Sequence, residues 1–353
     1  MLFEEKIQEN VLLKPFTTLK IGGLARYFAD VTDEESIYKA VKWAKKEKLP
    51  LFILGGGSNL VISDDGFAGL VLHINNLGII SKIVENKIIV SVAAGEIWDD
   101  FALLAVNNGW SGIECLSGIP GKVGATPIQN VGAYGQEVKD TIIKVKAYDR
   151  IAEKVVEFTN LECEFSYRQS LFKTKVKDRY IVINVTYCLR LKDEPIIKYP
   201  ELKKYLSENI SSTPTLLQTR EAVINIRRSK SMVVDENDPN SFSVGSFFVN
   251  PVIEEKNFEK LKKKLELKDI QGNIPQFPAE IGKVKLSAAW LIEKAGFRKG
   301  YRKGNVAISS KHALALINSG DGKAREIHDL ALEIRQKVAE DFDIWLEVEP
   351  IFV

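Results

Sequence analysis

Two glycine-rich turns constrain this chain more than any other feature: GGGSN, from Gly55 to Asn59, and SGIPGKVGATPIQNVGAYG, from Ser117 to Gly135. The first follows the apolar run Leu51, Phe52, Ile53, Leu54, so its glycines fall where a strand ends and backbone N–H groups can converge on an anion. Side chains there would block the approach. The second crowds Gly118, Gly121, Gly124, Gly132 and Gly135 together with Pro120 and Pro127, too many breakers for a helix or strand and too regular for a flexible linker. It reads as a shaped backbone wall. Together the turns suit a large phosphorylated cofactor, although GGGSN alone is equally an ordinary turn. Neither has the GxGxxG spacing of a dinucleotide-binding βαβ unit, and no GxxxxGK[ST] occurs, which disfavours both common nucleotide folds.

A chain of 353 residues is long enough for two or three domains with sizeable cores. Its 49 basic and 47 acidic side chains leave a formal net charge of +2, so no global field draws it to nucleic acid or lipid, and anion binding has to be local. The opening stretch MLFEEKIQENVLLKPFTTLK has no apolar run of signal-peptide length, and no stretch is of membrane-spanning length, so the expected location is the cytoplasm. Cys115, Cys163 and Cys188 lie far apart without a CxxC, and His73, His312 and His328 lack ligand spacing; neither a disulfide nor a metal site is expected.

The pattern along the chain is α+β. A capping box from Thr32 to Glu35 opens a helix with Ile37, Ala40, Val41 and Ala44 on one face and lysines elsewhere. Asp64 to Gly66 form a turn, Leu70 to Leu72 a strand, and residues 79–92 a hairpin turning near Asn86. A helix from Glu96 to Asn108 ends at Gly109, and strands follow at 142–149, 154–158 and 180–191. Pro195, Pro200 and Pro214 punctuate a linker-like stretch before a helix from Thr215 to about Arg228. The polar segment Val233–Ser243 is expected to loop over the surface. Phe258, Leu261 and Leu265 mark an amphipathic helix. Residues 286–295 form another, 313–318 a buried strand, Asp321–Asp341 a long helix and Trp345–Val353 a final strand.

Three segments combine polar groups with tight turns. In SYRQSLFK, Ser166 to Lys173, Arg168 sits beside Tyr167 and is shaped to fork onto a carboxylate, or to form a structural ion pair. In SVGSFFVNP, Ser243 to Pro251, Gly245 lets Ser246 face a ligand while Phe247 and Phe248 anchor the turn, although a serine so placed commonly serves its own backbone. In WLEVEP, Glu347 and Glu349 are two apart and share one face of a strand, as surface glutamates also do.

Taken in order, LKPFTTLKIGG ending at Gly23, GGGSN, GIPGKVGA with QNVGAYG, SYRQSLFK, GSFFVNP, KLSAAWLIEKAG and SSKHALALIN resemble the UDP-N-acetylenolpyruvoylglucosamine reductase family, also called MurB, over nearly the whole chain. The resemblance implies three α+β domains. Two (1–75 and 76–229) form a vanillyl-alcohol-oxidase-type FAD-binding unit, and the third (230–353) binds substrate, with the final strand 344–353 able to pack on the first. It implies NADPH-dependent, FAD-mediated reduction of UDP-N-acetylglucosamine enolpyruvate in peptidoglycan precursor synthesis, with ping-pong kinetics, non-covalent FAD, no nucleic-acid or membrane partner, and a monomer.

By the same resemblance, Gly55, Gly56, Gly57, Ser58 and Asn59 form the pyrophosphate loop, and Ile119, Gly121, Gly124, Ala125, Gln129 and Gly132 line the flavin. Arg168 and Glu349 polarise the enolpyruvyl carboxylate, and Ser246 donates the proton. Tyr167, Tyr199, Lys230, Asn250 and Lys285 contact substrate. Hydride addition drives negative charge into the carboxylate, which a guanidinium meets, whereas an ionised Glu349 would repel it; Glu349 therefore acts protonated or through a water. The chain departs from the family pattern at Ile351, where arginine is usual, and in a longer link from Lys230 to the GSFF turn. A flavin oxidase on the same scaffold explains both glycine turns but not the three catalytic candidates together; a non-catalytic flavin- or UDP-sugar-binding module is the other alternative.

Overall fold

The computed structural model describes residues 7–192, 194–267 and 271–353, so the start of the opening stretch searched for a signal sequence lies outside the described residues. The chain divides into two compact units. The first holds residues up to Val11, Ala25–Gly57 and Phe67–Val233; the second holds Leu12–Leu24, Ser58–Gly66 and Val234–Val353.

The first unit contains two large sheets besides the short pair Gly132–Ala133 and Gln136–Glu137. One has the strand order Gln8–Leu12, Leu24–Val31, Phe67–Ile74, Leu51–Leu54, and Phe67–Ile74 is parallel to both Leu24–Val31 and Leu51–Leu54. Helix α1 (Glu34–Lys46) carries the chain from Leu24–Val31 across to Leu51–Leu54, the two strands that flank Phe67–Ile74. Its expected buried face is present, with Ile37, Ala40, Val41 and Ala44 all in the core. The cap differs by one residue from the expected Thr32: Asp33 accepts from the Ser36 N–H at 2.7 Å and from the Ser36 hydroxyl at 2.9 Å, because a carboxylate offers two acceptors where threonine offers one hydroxyl.

The other sheet is antiparallel, in the order Lys154–Thr159, Ile142–Asp149, Tyr180–Leu191, Lys87–Ala93, Ile79–Val84, with Trp110–Ser111 also beside Tyr180–Leu191. The expected hairpin turns at Glu85–Asn86, between the paired Val84 and Lys87. Helix α2 (Trp98–Asn107) turns Trp98 and Phe101 into the core and ends before Gly109, whose φ of 69° is left-handed. Trp98, Phe101 and Tyr187 form an aromatic cluster with centroids 5.1–5.9 Å apart. Their polar atoms reach the glycine wall: Trp98 Nε1 donates to the Leu116 carbonyl at 2.9 Å, and the Tyr187 and Thr126 hydroxyls are bonded at 2.8 Å. Each buried ring contributes about 1.5–3 kcal/mol, so the wall is fastened to one of the most favourable packing clusters in the unit.

The stretch read as a linker contains helix α3 (Pro200–Asn209), with proline at its first position, where the missing N–H costs nothing. Leu202 and Leu206 pack with Val223 and Ile226 of helix α4 (Leu216–Ser229), which starts on a Thr215–Gln218 capping box.

In the second unit, helices α5 (Glu255–Leu267), α6 (Ala288–Lys294) and α7 (Ala324–Phe342) accompany two small antiparallel sheets. Phe258, Leu261 and Leu265 are buried, as their spacing requires. The buried strand expected at 313–318 is regular only from Leu316 to Asn318. The segment expected to loop over the surface is instead docked. Asn240 Oδ1 accepts from the Ser310 N–H at 2.9 Å, Lys311 pairs with Asp238 at 3.1 Å, and Ser241 and Ser243 are buried. The expected last strand shortens to Ile351–Phe352, parallel to Leu60–Val61, because Pro350 has no N–H to extend it. Among the described residues, no helix is long and apolar enough to cross a membrane.

One ion pair fixes where the wall begins. Arg220 of α4 binds Asp99 of α2 through Nη1 at 2.6 Å and Nη2 at 2.8 Å, and Asp99 accepts the Gly118 N–H at 2.5 Å. Burial raises the Asp99 carboxyl, but Arg220 and the Gly118 N–H outweigh it and hold the group below its ordinary 3.8. Asp99→Asn should therefore lower stability in denaturant unfolding at pH 7 by about 2 kcal/mol. The gap from the parent chain should be full above pH 3.8 and close as pH falls through the depressed value. An unchanged midpoint at pH 7 would rule the pair out as a fastening.

Candidate active site

The two glycine turns meet backbone to backbone inside the first unit. A Cβ placed on Gly56 would lie 2.6 Å from Gly121 Cα, and one on Gly124 would lie 2.5 Å from Ala94 Cβ. No side chain fits at either place. Gly57 adopts φ 61°, and the division between the two units falls just after it, so Gly55–Gly57 belong to the first and Ser58 and Asn59 to the second. The wall itself is held along its length: Trp98 donates to the Gly121 carbonyl at 3.0 Å, Val123 to Glu96 at 2.9 Å and Gly124 to Ala94 at 2.9 Å. It closes with a two-residue hairpin in which Tyr134 and Gly135, at φ 46° and 83°, join the paired strands Gly132–Ala133 and Gln136–Glu137. Two bare backbones in contact, with a lysine between them, fit the pyrophosphate of a dinucleotide. Of the other wall candidates, Ile119 and Gln129 are half-buried and Ala125 is exposed.

That lysine escaped the sequence reading. Lys122 Nζ donates to the Ile74 carbonyl at 2.6 Å, to Asn75 Oδ1, and to His73 Nε2 at 3.3 Å. Behind it, Asp30 Oδ1 lies 2.6 Å from His73 Nδ1 and 2.6 Å from Asn75 Nδ2. Burial lowers Lys122 from its ordinary 10.5 to about 8, with Asp30 pulling the other way. Burial and the Lys122 charge likewise lower His73, against Asp30. A single charged residue inside an otherwise uncharged glycine stretch was the available signal.

The wall also carries the Arg168 turn. Ser166 and Gln169 exchange backbone bonds at 3.1 Å, leaving Tyr167 and Arg168 at the apex, with Arg168 at φ 57°. Arg168 Nη2 donates to the Gly132 carbonyl at 2.8 Å, and its guanidinium carbon lies 5.6 Å from the Tyr167 ring centroid. A Cβ on Gly132 would lie 2.8 Å from Glu137 Cγ, 3.0 Å from the Gln136 carbonyl and 3.2 Å from Arg168 Nη1, so the paired strand and the guanidinium together leave room only for glycine. Asn130, which pattern reading passed over, binds the Ser166 carbonyl at 2.9 Å, and Lys173 Nζ donates to the Arg168 carbonyl at 3.0 Å.

Elsewhere in this unit the Tyr199 ring meets Tyr134 edge-on at 5.4 Å and 86°, just before α3. Burial raises both hydroxyls, that of Tyr134 to about 12. Lys230, at the C-terminal end of α4, pairs with Glu201 of α3 at 2.6 Å.

The second unit brings the segments that carry Ser246 and Glu349 together through an isolated antiparallel bridge. The Glu349 N–H donates to the Phe247 carbonyl at 2.9 Å, the Val249 N–H donates to Glu347 at 3.0 Å, and Phe248 bridges Val348 between them. Phe247 and Phe248 are buried and Gly245 has φ 78°, as the motif requires. Glu347 and Glu349 do not share an environment: the first is exposed and the second half-buried. The Asn59 side-chain amide reaches the Glu349 carbonyl at 3.3 Å, and the Ile351 N–H donates to the Asn59 carbonyl at 3.0 Å, tying GGGSN to the chain around Glu349. Asn250 accepts the Ala288 N–H at 2.9 Å at the start of α6, and Lys285 sits on the middle strand of a three-stranded sheet, opposite Val252.

With this geometry in hand, the likeness to known proteins is direct. Residues 25–158 match the family model of the FAD binding domain, and residues 238–353 that of the C-terminal domain of UDP-N-acetylenolpyruvoylglucosamine reductase. The chain is 43% identical over 347 residues to the UDP-N-acetylenolpyruvoylglucosamine reductase of Thermobifida fusca, covering 98% of this chain and 97% of that one. It is 42% identical over 350 residues to that of Salinispora arenicola, covering 97% and 94%. The solved structure of the reductase (MurB) from Thermus caldophilus shares the fold, with a TM-score of 0.64 at 24% identity over 98% of this chain and 99% of that one. The chain therefore belongs to the UDP-N-acetylenolpyruvoylglucosamine reductase family and is an FAD-dependent oxidoreductase.

Proposed function

We propose that this enzyme uses NADPH to reduce the enolpyruvyl group of UDP-N-acetylglucosamine enolpyruvate, giving UDP-N-acetylmuramate for peptidoglycan synthesis, as a cytoplasmic monomer. The two sheets of the first unit would be the two FAD-binding domains, and the second unit would supply the substrate domain. The observation that most supports the reading is the backbone bond from Glu349 to Phe247, which joins the chain around Glu349 to the aromatic-backed turn that carries Ser246.

Gly55–Asn59 and the wall residues Ile119, Gly121, Gly124, Ala125, Gln129 and Gly132 would hold FAD, without a covalent bond. When bound, FAD supplies the two-electron carrier that accepts hydride from NADPH and returns it to the terminal enol carbon. The protein's own groups deal with the charge that follows. Arg168 meets the negative charge growing on the substrate carboxylate, and its anchorage to Gly132 means little reorganisation is needed at that moment. Ser246 delivers the proton to the neighbouring carbon, where position matters more than acidity because the carbanion-like centre is very basic. Glu349 would reach the same charge through a proton it carries or through an intervening water, since a bare carboxylate could only repel it. Tyr167, Tyr199, Lys230, Asn250 and Lys285 would orient the substrate, and its anionic diphosphate has to displace Glu201 from Lys230.

The purified chain should consume NADPH only when the enolpyruvyl nucleotide is supplied, with parallel double-reciprocal lines for the two substrates. Equal consumption with oxygen as the sole acceptor would make it an oxidase. Ser246→Ala should slow product formation about 100-fold to 10,000-fold, while NADPH still bleaches the flavin in single-turnover traces; loss of bleaching to the same degree would remove Ser246 from proton donation. Glu201→Gln should lower KM for the nucleotide several-fold at unchanged kcat, by freeing Lys230. A raised KM would make Glu201 a substrate contact instead.

A further inference from the structure

We propose that Lys122 is the positioning residue of the flavin cradle: its ammonium ties the glycine wall to the end of the Phe67–Ile74 strand and thereby holds the wall against the Gly55–Gly57 turn. An ammonium has three protons and no lone pair, and here three acceptors surround it: the Ile74 carbonyl at 2.6 Å, Asn75 Oδ1, and His73 Nε2 at 3.3 Å. His73 carries the contact onward: its Nδ1 lies 2.6 Å from Asp30 Oδ1, and its ring is also hydrogen-bonded to the Gly55 backbone. Asn75 repeats the relay, accepting from Lys122 through Oδ1 and donating through Nδ2 to the same Asp30 oxygen at 2.6 Å. The half-buried cation is thus balanced by a carboxylate one side chain away, through two neutral arms.

The backbone of Lys122 is fixed from the opposite side. It bridges Ile97 in the loop before α2, and its neighbours donate or accept there through Val123 and Gly121. Gly121 is the residue against which Gly56 is bare, and the atom nearest to a Cβ on Gly55 would be Lys122 Cβ at 4.0 Å. One side chain therefore spans from the antiparallel sheet's loop to the end of the parallel sheet, at the point where the two turns touch. With its ammonium turned inward to the Ile74 carbonyl and Asn75, Lys122 serves an anion in the cradle by charge and by geometry, leaving the direct hydrogen bonds to backbone N–H groups.

The charged groups facing Lys122 are Asp30 on the Leu24–Val31 strand and His73 on the Phe67–Ile74 strand. Glu96, from the loop before α2, is turned to the Gly78 N–H at 2.7 Å. A cation that helps to hold an anionic cofactor strengthens binding while it keeps its proton, so affinity should fall as pH rises through about 8. FAD dissociation constants, read from the fluorescence of released flavin, test this without any turnover. In the wild-type holoenzyme, affinity should be level from pH 6.8 to 7.4 and weaken by roughly tenfold by pH 9.4, in keeping with loss of one nearby charge. Lys122→Met should bind FAD at least about tenfold more weakly at pH 7.4 and lose the alkaline decline, as removal of the titrating group requires. Lys144→Met, which breaks only an exposed pair with Glu157, should match wild type throughout. Lys122→Met that retains FAD as tightly as wild type would overturn the proposal. So would a wild-type affinity that is level to pH 9.4, a measurement that needs no variant to fold.

Discussion

Everything that this molecule does with a cofactor depends on one steric constraint: the Gly55–Gly57 turn and the Gly121 region approach until their main chains touch. The 2.6 Å that would separate a Gly56 Cβ from Gly121 Cα leaves no room for any residue but glycine. Such an approach gives up side-chain packing on both sides, and bare backbone costs more conformational entropy to order than any other. The structure offsets this from behind. Trp98, Tyr187, Asp99 and Arg227 all reach into the wall with polar atoms while their bodies lie in or against the core; Arg227 Nε donates to the Gly118 carbonyl at 3.2 Å. The wall is shaped by what lies behind it, since its own residues have little with which to shape themselves.

That division explains what could be read from the sequence. Helix α2 announces itself through period and punctuation because one face is buried, and the strand at 180–191 through a long apolar run, since it is buried on both faces. The glycine turns are legible because only a tight backbone requirement accumulates glycine so densely. What pattern reading misses is whatever depends on partners remote in the chain. Pro200 reads as a breaker until Leu202 and Leu206 are seen against Val223 and Ile226. Asn240 reads as loop until its carboxamide is found on Ser310. Lys122, Asp30 and His73 carry no shared motif, since a contact spanning β-strand, strand end and loop has no fixed spacing. The parallel pairing of Phe67–Ile74 with its two neighbours likewise joins segments remote in the chain, and the local pattern of the strand does not reveal it.

The candidate catalytic groups were found by likeness to a family rather than by physics, and the structure shows why. Ser246 and Glu349 are more than a hundred positions apart in number, yet one hydrogen bond, from the Glu349 N–H to the Phe247 carbonyl, joins the segments that carry them. Neither has a sequence neighbour that betrays the other. Glu347 had the same claim as Glu349 on alternation alone, and burial separates them: the exposed one faces solvent, while the half-buried one sits beside Phe247 and below Asn59. Asn59 is bonded to the chain on both sides of this segment, through the Glu349 carbonyl and the Ile351 N–H, within one unit.

Arg168 shows how far the fold goes to place a charge. A non-glycine residue at φ 57° is held in the left-handed region at a cost on the order of 1–3 kcal/mol, which persists only where surrounding contacts over-determine it. Here they do. The turn is closed by Ser166 and Gln169, pinned to the wall through Asn130 on the Ser166 carbonyl and Ser170 on the Ile128 carbonyl, and capped by Lys173 on the Arg168 carbonyl itself. A guanidinium needs no such apparatus to stay charged or to form a surface pair. It needs it only if the direction of the charge matters, and a transition state whose anion appears on one carboxylate is the circumstance in which a fixed direction is worth that strain.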